Sequence, residues 1–181
     1  RVDVKGICKL YSRTGKEFTT LNKVKEAIEA TGIINVTFDG EICLVDDNGN
    51  EDFQGIMKQL RKKDHQIPNP AYMIFDMLHK SHFDAQTCDE KLSSRLSALR
   101  GFLGGRNVDL DILRYTEQFQ ITDDDHFEYW SKMAVDKNWE GFMLRKDVGY
   151  EGKRSNNLIK VKKFFDAEYE VIDFNNEEAE V

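Results

Sequence analysis

The run NNLIKVKKFF (residues 156–165) sets Lys160 and Lys162 on one side of a strand, with Ile159 and Val161 on the other, because successive side chains of an extended chain point to opposite faces. Two ammonium groups held side by side repel each other, so the pattern has two readings. One is an edge strand kept soluble by its charge. The other is a clamp for an anion such as a polyphosphate. The surrounding charge favours a local anion site. From Arg145 to Lys163 seven basic residues stand against Asp147 and Glu151, while every charged residue from Asp166 to Val181 is acidic. The formal net charge of −7 therefore hides a basic segment, and the distribution matters more than the sum.

A chain of 181 residues with 40% hydrophobic content is long enough to bury one core, which argues for one domain with at most a fragment of a second. Three cysteines, Cys8, Cys43 and Cys88, are an odd number at wide spacings with no CxxC pair. That argues against both a disulfide framework and a zinc site, and a reducing compartment is expected. No apolar run approaches the roughly 18 residues of a membrane span, and no signal-peptide pattern opens the chain, so a soluble intracellular protein is expected.

The rest of the chain alternates strands and helices without repeats. RVDVKGICKLYS alternates as a strand, and RTGK after it reads as a turn on Gly15. In TTLNKVKEAIEATG, Leu21, Val24, Ala27 and Ile28 fall at helical spacing, with Thr20 as the cap and Gly32 as the stop. INVTFDGEICLVD is strand-like on both sides of Asp39 and Gly40, DDNGNED is a turn, and FQGIMKQLRKKD is a short helix. The two prolines of IPNP exclude regular structure, and AYMIFDML is an apolar strand. DEKLSSRLSALRGFLGG aligns Leu92, Leu96, Leu99 and Phe102 on one helical face. DILRYTEQFQIT reads as a strand, and DDDHFEYWSKMAVDKN as an amphipathic helix through Phe127, Trp130 and Ala134. GFMLR, LIKVKKF and EYEVIDF are further strands, giving a mostly antiparallel α+β protein.

Three other stretches could carry chemistry. FDGEI places Glu41 in a strand just after a glycine, where it is either a solvent-facing residue or a ligand. MIFDML buries Asp76 in an apolar run, which is costly unless a partner satisfies it. Strict pleating sends its neighbour Phe75 to the opposite face. WEGFMLRK opens a strand with Glu140, a carboxylate able to ligate a hard cation. His79 and His82, with no cysteine pair nearby, read as a solvated loop.

The order of these stretches is more specific than any one of them. The sequence resembles the nucleotidyltransferase superfamily of ATP-dependent DNA ligases, RNA ligases and mRNA capping enzymes. YSRTGKEF looks like the segment after the nucleophile motif, FDGE like motif III, YMIFDML like motif IIIa, EGFMLRK like motif IV and LIKVKK like motif V. The resemblance implies an α+β fold of two mainly antiparallel sheets flanked by helices around a nucleotide cleft. It also implies a chemistry: a lysine attacks the α-phosphate of ATP, AMP passes to the 5′-phosphate of a nick in double-stranded DNA, and the 3′-hydroxyl displaces it. Charge develops on phosphate oxygens at each step, so cations and Mg²⁺ are the main catalytic resource. On the matching positions, Lys160 and Lys162 are the α-phosphate clamp, Glu41 binds the ribose or a metal, and Phe75 stacks on adenine. Glu140 binds a metal ion, and Arg1, Arg13 and Arg145 contact the nucleotide. Glu140 and Val161, where capping enzymes carry aspartate and tryptophan, favour a ligase. RNA ligase and an inactive nucleotide-binding module are the alternatives. A monomer working on DNA, with no membrane partner, is expected.

The family string KxDGxR is absent from residues 1–181. RVDVKG resembles the continuation of KxDG, with Arg1 as the motif's arginine, so the nucleophilic lysine is expected upstream of residue 1. At the other end, residues 166–181 resemble the first strand of an OB-fold domain, which leaves residues 1–165 as the adenylation core.

Overall fold

The computed structural model describes residues 1–45, 51–62, 64–137, 139–162, 173–174 and 179–180. In chain order the elements are α1 (Asn22–Ala30), β1 (Val36–Val45), β2 (Glu51–Asp52), α2 (Phe53–Leu60), β3 (Pro70–His79), α3 (Lys80–Asp84), β4 (Thr87–Cys88), α4 (Leu92–Leu103), β5 (Leu113–Tyr115), α5 (Asp124–Asp136), β6 (Gly141–Arg145), β7 (Tyr150–Glu151), β8 (Leu158–Lys162), β9 (Asp173–Phe174) and β10 (Ala179–Glu180). They divide into two compact units, Arg1–Gln120 with Lys146–Asn157, and Ile121–Arg145 with Leu158–Val181.

The first unit is organised on a four-stranded sheet in the order β2-β1-β3-β5. Its spine is the antiparallel pair of the ten-residue strands β1 and β3, where β-branched and aromatic side chains suit a pleated, half-buried surface. Helices α1 and α4 supply the apolar face that covers it. Val24 and Ile28 of α1 and Leu99 and Leu103 of α4 are buried with Phe38, Tyr72, Ile74 and Leu113 of the sheet. Full burial of each such side chain contributes about 1.5–3 kcal/mol, so this cluster is the main source of the unit's stability.

Several local expectations give way to longer-range contacts. The opening residues are not a continuous strand: the Asp3 carboxylate accepts from the backbone of Lys5 and Ile7, Gly6 takes φ 78°, and the chain folds back so that Val2 bridges Cys8. The RTGK turn forms as read, with Ser12 donating its N–H to the Lys16 carbonyl. Thr20 does not cap α1, because its hydroxyl is buried without a partner among the described residues; the Gln66 side chain, far along the sequence, accepts from the Asn22 N–H instead. Pro70 begins β3, a position where a missing N–H does little harm. The strand expected at DILRYTEQFQIT shrinks to β5, and it runs parallel to β3. The DDNGNED turn falls largely outside the described residues.

In the second unit Asp123 caps α5 by accepting from the His126 N–H, and that bond holds its carboxyl below the usual carboxylate range. Phe127 of α5 packs edge-on against Phe142 of β6, with ring centroids 5.8 Å apart. β6 pairs antiparallel with β8 over five residues. β9 and β10 form a short antiparallel pair, and the rest of the expected OB-fold strand, with Lys163 and the 165/166 boundary, lies outside the described residues. No helix among the described residues is long and apolar enough to cross a membrane.

Candidate functional site

The ribbon of β6 and β8 fixes the lysine pair. Phe142 pairs with Val161 on the side that meets α5, so Lys160 and Lys162 share the other face with their partners Met143 and Gly141. Both ammonium groups close on one oxygen, Oε1 of Glu140, at 2.9 Å from Lys160 and 3.5 Å from Lys162. The like-charge repulsion foreseen in the sequence is thus relieved by a carboxylate, and the hydrogen bond from Lys160 holds Glu140 below its ordinary value. All three side chains remain open to solvent, with Glu140 at 70% exposure, so an anion and a cation could exchange with them. Gly141 makes this approach possible. A side chain there would meet the Val161 carbonyl at 2.0 Å and the Lys162 Cα at 2.7 Å, on a backbone with φ 152°. Arg145 ends the same strand opposite Leu158, half-buried.

In the first unit the FDGE and MIFDML stretches lie side by side. Asp39 pairs with Asp76 but Gly40 pairs with Ile74, so the register skips Phe75, which forms a β-bulge. Across the bulge β1 keeps Phe38 and Ile42 toward the core, whereas β3 switches from Tyr72 and Ile74 to Met77. Strict pleating, which would have placed Phe75 and Asp76 on opposite faces, is interrupted at this point. Phe75 stays outside the core cluster and half-buried, with its carbonyl accepting from Gln118. Glu41 is exposed opposite Met73. Gly40 is dictated by contact: a Cβ would meet the Met73 carbonyl at 2.4 Å and the Tyr72 ring at 2.6 Å.

Asp76 finds the partner its burial demands. Arg95 of α4 forks onto it with Nε and Nη2 each 3.0 Å from a carboxylate oxygen, and the two side chains are only 3% and 2% exposed. Arg95 also donates to the carbonyls of Glu90 and Val148, tying β3, the start of α4 and the 146–157 segment together. Sequence reading passed over Arg95. The signal was present, because it falls on the same helical stripe as Leu92, Leu96 and Leu99.

Two further arginines complete the set. The Arg1 guanidinium stacks over Tyr11 at 4.9 Å and Phe83 at 4.5 Å, two cation–π contacts. Arg13 is exposed in the 12–16 turn.

The fold is that of DNA ligase catalytic domains. The structure of Pmar-Lig_PreS3 superposes with a TM-score of 0.76 at 23% identity, covering 87% of this chain and 38% of that one. The ATP-dependent DNA ligase from bacteriophage T7 in complex with ATP gives 0.68 at 16% identity, covering 89% and 57%. The chain belongs to the family described as ATP dependent DNA ligase domain, whose model matches residues 1–162. Among curated proteins it is 30% identical over 158 residues to the SPbeta prophage-derived DNA ligase-like protein LigB of Bacillus subtilis, covering 84% of this chain and 53% of that protein. It is 26% identical over 175 residues to a DNA ligase of African swine fever virus, covering 91% and 39%. It is 28% identical over 160 residues to the multifunctional non-homologous end joining protein LigD of Pseudomonas aeruginosa, covering 87% and 18%. The chain therefore spans from about a fifth to about half the length of these relatives.

Proposed function

We propose that the chain is the nucleotide-handling core of a monomeric ligase that seals nicks in double-stranded DNA through a lysine-AMP intermediate. The observation that carries this reading is the convergence of Lys160 and Lys162 on a single oxygen of Glu140, since two cations held that close together form a ready site for a phosphate. In this reading the lysines bind the α-phosphate of ATP and stabilise the charge that grows on its oxygens as the bond to pyrophosphate breaks. They also lower the pKa of an approaching lysine nucleophile by like-charge proximity. Phe75 stacks on adenine, Glu41 binds the ribose or a metal, and Arg1, Arg13 and Arg145 contact the nucleotide.

Glu41 in the first unit and Glu140 in the second each offer an exposed carboxylate, the kind of ligand Mg²⁺ takes, and each is read separately as a candidate metal ligand. When bound, Mg²⁺ would neutralise charge on the phosphates. Glu140 is then shared between two tasks, holding the lysines parallel in the free protein and offering oxygen to a cation when phosphate occupies the lysines.

Equilibrium titration of the 181-residue chain with ATP tests the clamp. Charge-assisted hydrogen bonds contribute about 1.5–3 kcal/mol each, so Lys160→Ala and Lys162→Ala should each weaken ATP binding by about 10- to 150-fold. Affinities within about twofold of the parent for both variants would remove the assignment.

A further inference from the structure

We infer that His82, Cys88 and Glu90 form a binding site for a thiophilic divalent cation of the zinc class. The three residues come from the middle of α3, from β4 and from the turn before α4, and their ligand atoms all lie within 4.8 Å of one another. They are brought together by a reversal at Gln86, which takes φ 57°, and by the close passage of the chain at Gly149 and Gly152. At Gly149 a Cβ would meet the Cys88 carbonyl at 2.3 Å, so this side of the cluster is held by backbone.

The chemistry of the donors points to the ligand. Nδ1 of His82 is buried without a hydrogen-bond partner among the described residues, an unsatisfied state that a metal bond to the imidazole lone pair relieves. The Cys88 thiol is not in a disulfide, is 5% exposed, and lies 4.0 Å from Oε2 of Glu90. Glu90 is exposed and supplies the third donor and a path to solvent. Sulfur at about 2.3 Å and nitrogen or oxygen at about 2.0–2.2 Å in a tetrahedron stand about 3.3–3.6 Å apart, so side-chain movements of about 1 Å close the set around zinc. Three protein donors leave the fourth position to water or another ligand. A thiolate with an imidazole selects against Mg²⁺, which takes an octahedron of oxygens, and this separates the site from the carboxylates assigned to Mg²⁺.

The site's position gives it a structural consequence. The Glu90 carbonyl accepts from Arg95, the residue that satisfies Asp76 beside Phe75. A cation on the Glu90 side chain therefore fixes the turn that carries one end of the Arg95 network.

The test titrates the reduced 181-residue chain with Co²⁺ and then Zn²⁺. Expected are one equivalent of Co²⁺ with a thiolate-to-cobalt charge-transfer band, displacement of that band by Zn²⁺ but not by excess Mg²⁺, and a thermal midpoint raised by Zn²⁺. Cys88→Ser should abolish the band. Glu90→Gln, an exposed change that leaves the core untouched, should weaken Zn²⁺ binding by at least about 10-fold. The inference is overturned by absence of the band, by a band that survives Cys88→Ser and so belongs to Cys8 or Cys43, or by unchanged Zn²⁺ affinity in Glu90→Gln.

Discussion

Replacing Asp76 by alanine strands a guanidinium in the interior. Arg95 is 3% exposed and Asp76 2%, so solvent cannot take over the lost contacts, and both bonds of the 3.0 Å fork disappear together. Breaking a buried pair by removing one partner costs about 3–5 kcal/mol, because the surviving charge is left unpaired. The Met77 N–H loses its acceptor in the same change. With a urea m-value of about 2 kcal/mol/M for a unit of this size, a loss of about 4 kcal/mol lowers the unfolding midpoint by about 2 M. Circular dichroism during urea denaturation reads that shift. Removing both charges in Asp76→Leu/Arg95→Met leaves no stranded ion and should recover most of the loss, since apolar replacements of a whole buried pair are often neutral or stabilising. A midpoint for Asp76→Ala within about 0.5 M of the parent, or a double variant no better than the single, would refute the argument.

Gly40→Ala should distort the centre of β1 and β3, since its Cβ meets backbone at 2.4 Å and no side-chain rotation relieves that; a lower melting temperature and changed amide shifts at Met73 and Tyr72 are the expected result. Glu140 should titrate below the ordinary glutamate value in carboxyl-detected NMR, and Lys160→Ala should raise its midpoint. Because the folded value is depressed, the ion pair is complete above the ordinary glutamate range and is lost as pH falls through the lowered midpoint, releasing both ammonium groups from the carboxylate.

The elements set by local pattern were legible in the sequence. Helix α1 follows Leu21, Val24, Ala27 and Ile28, and the clamp follows the two-residue spacing of Lys160 and Lys162. Features that need a second segment were not. The bulge at Phe75 exists only relative to β1, the Gln66 cap of α1 comes from a residue more than forty positions away, and the partner of Asp76 sits on another element. A strand pattern at the N-terminus was read from alternation alone and lost to the Asp3 side chain, whose hydrogen bonds compete with a ladder. Cys88 looked solitary because the reversal at Gln86 that brings it to His82 leaves no mark in spacing.

The extra residue in β3 makes Phe75 the one position of the strand where chain length and side-chain identity can be separated. Phe75 can be exchanged for a smaller residue and the downstream strand keeps its phase. Deleting it would remove the extra residue and let β1 and β3 pair without a break, with Asp76 still opposite Asp39 and Met77 still opposite Phe38. A single-codon deletion at this point therefore removes the ring and the local kink while the flanking side chains keep their faces, whereas a deletion elsewhere in β3 shifts the pairing.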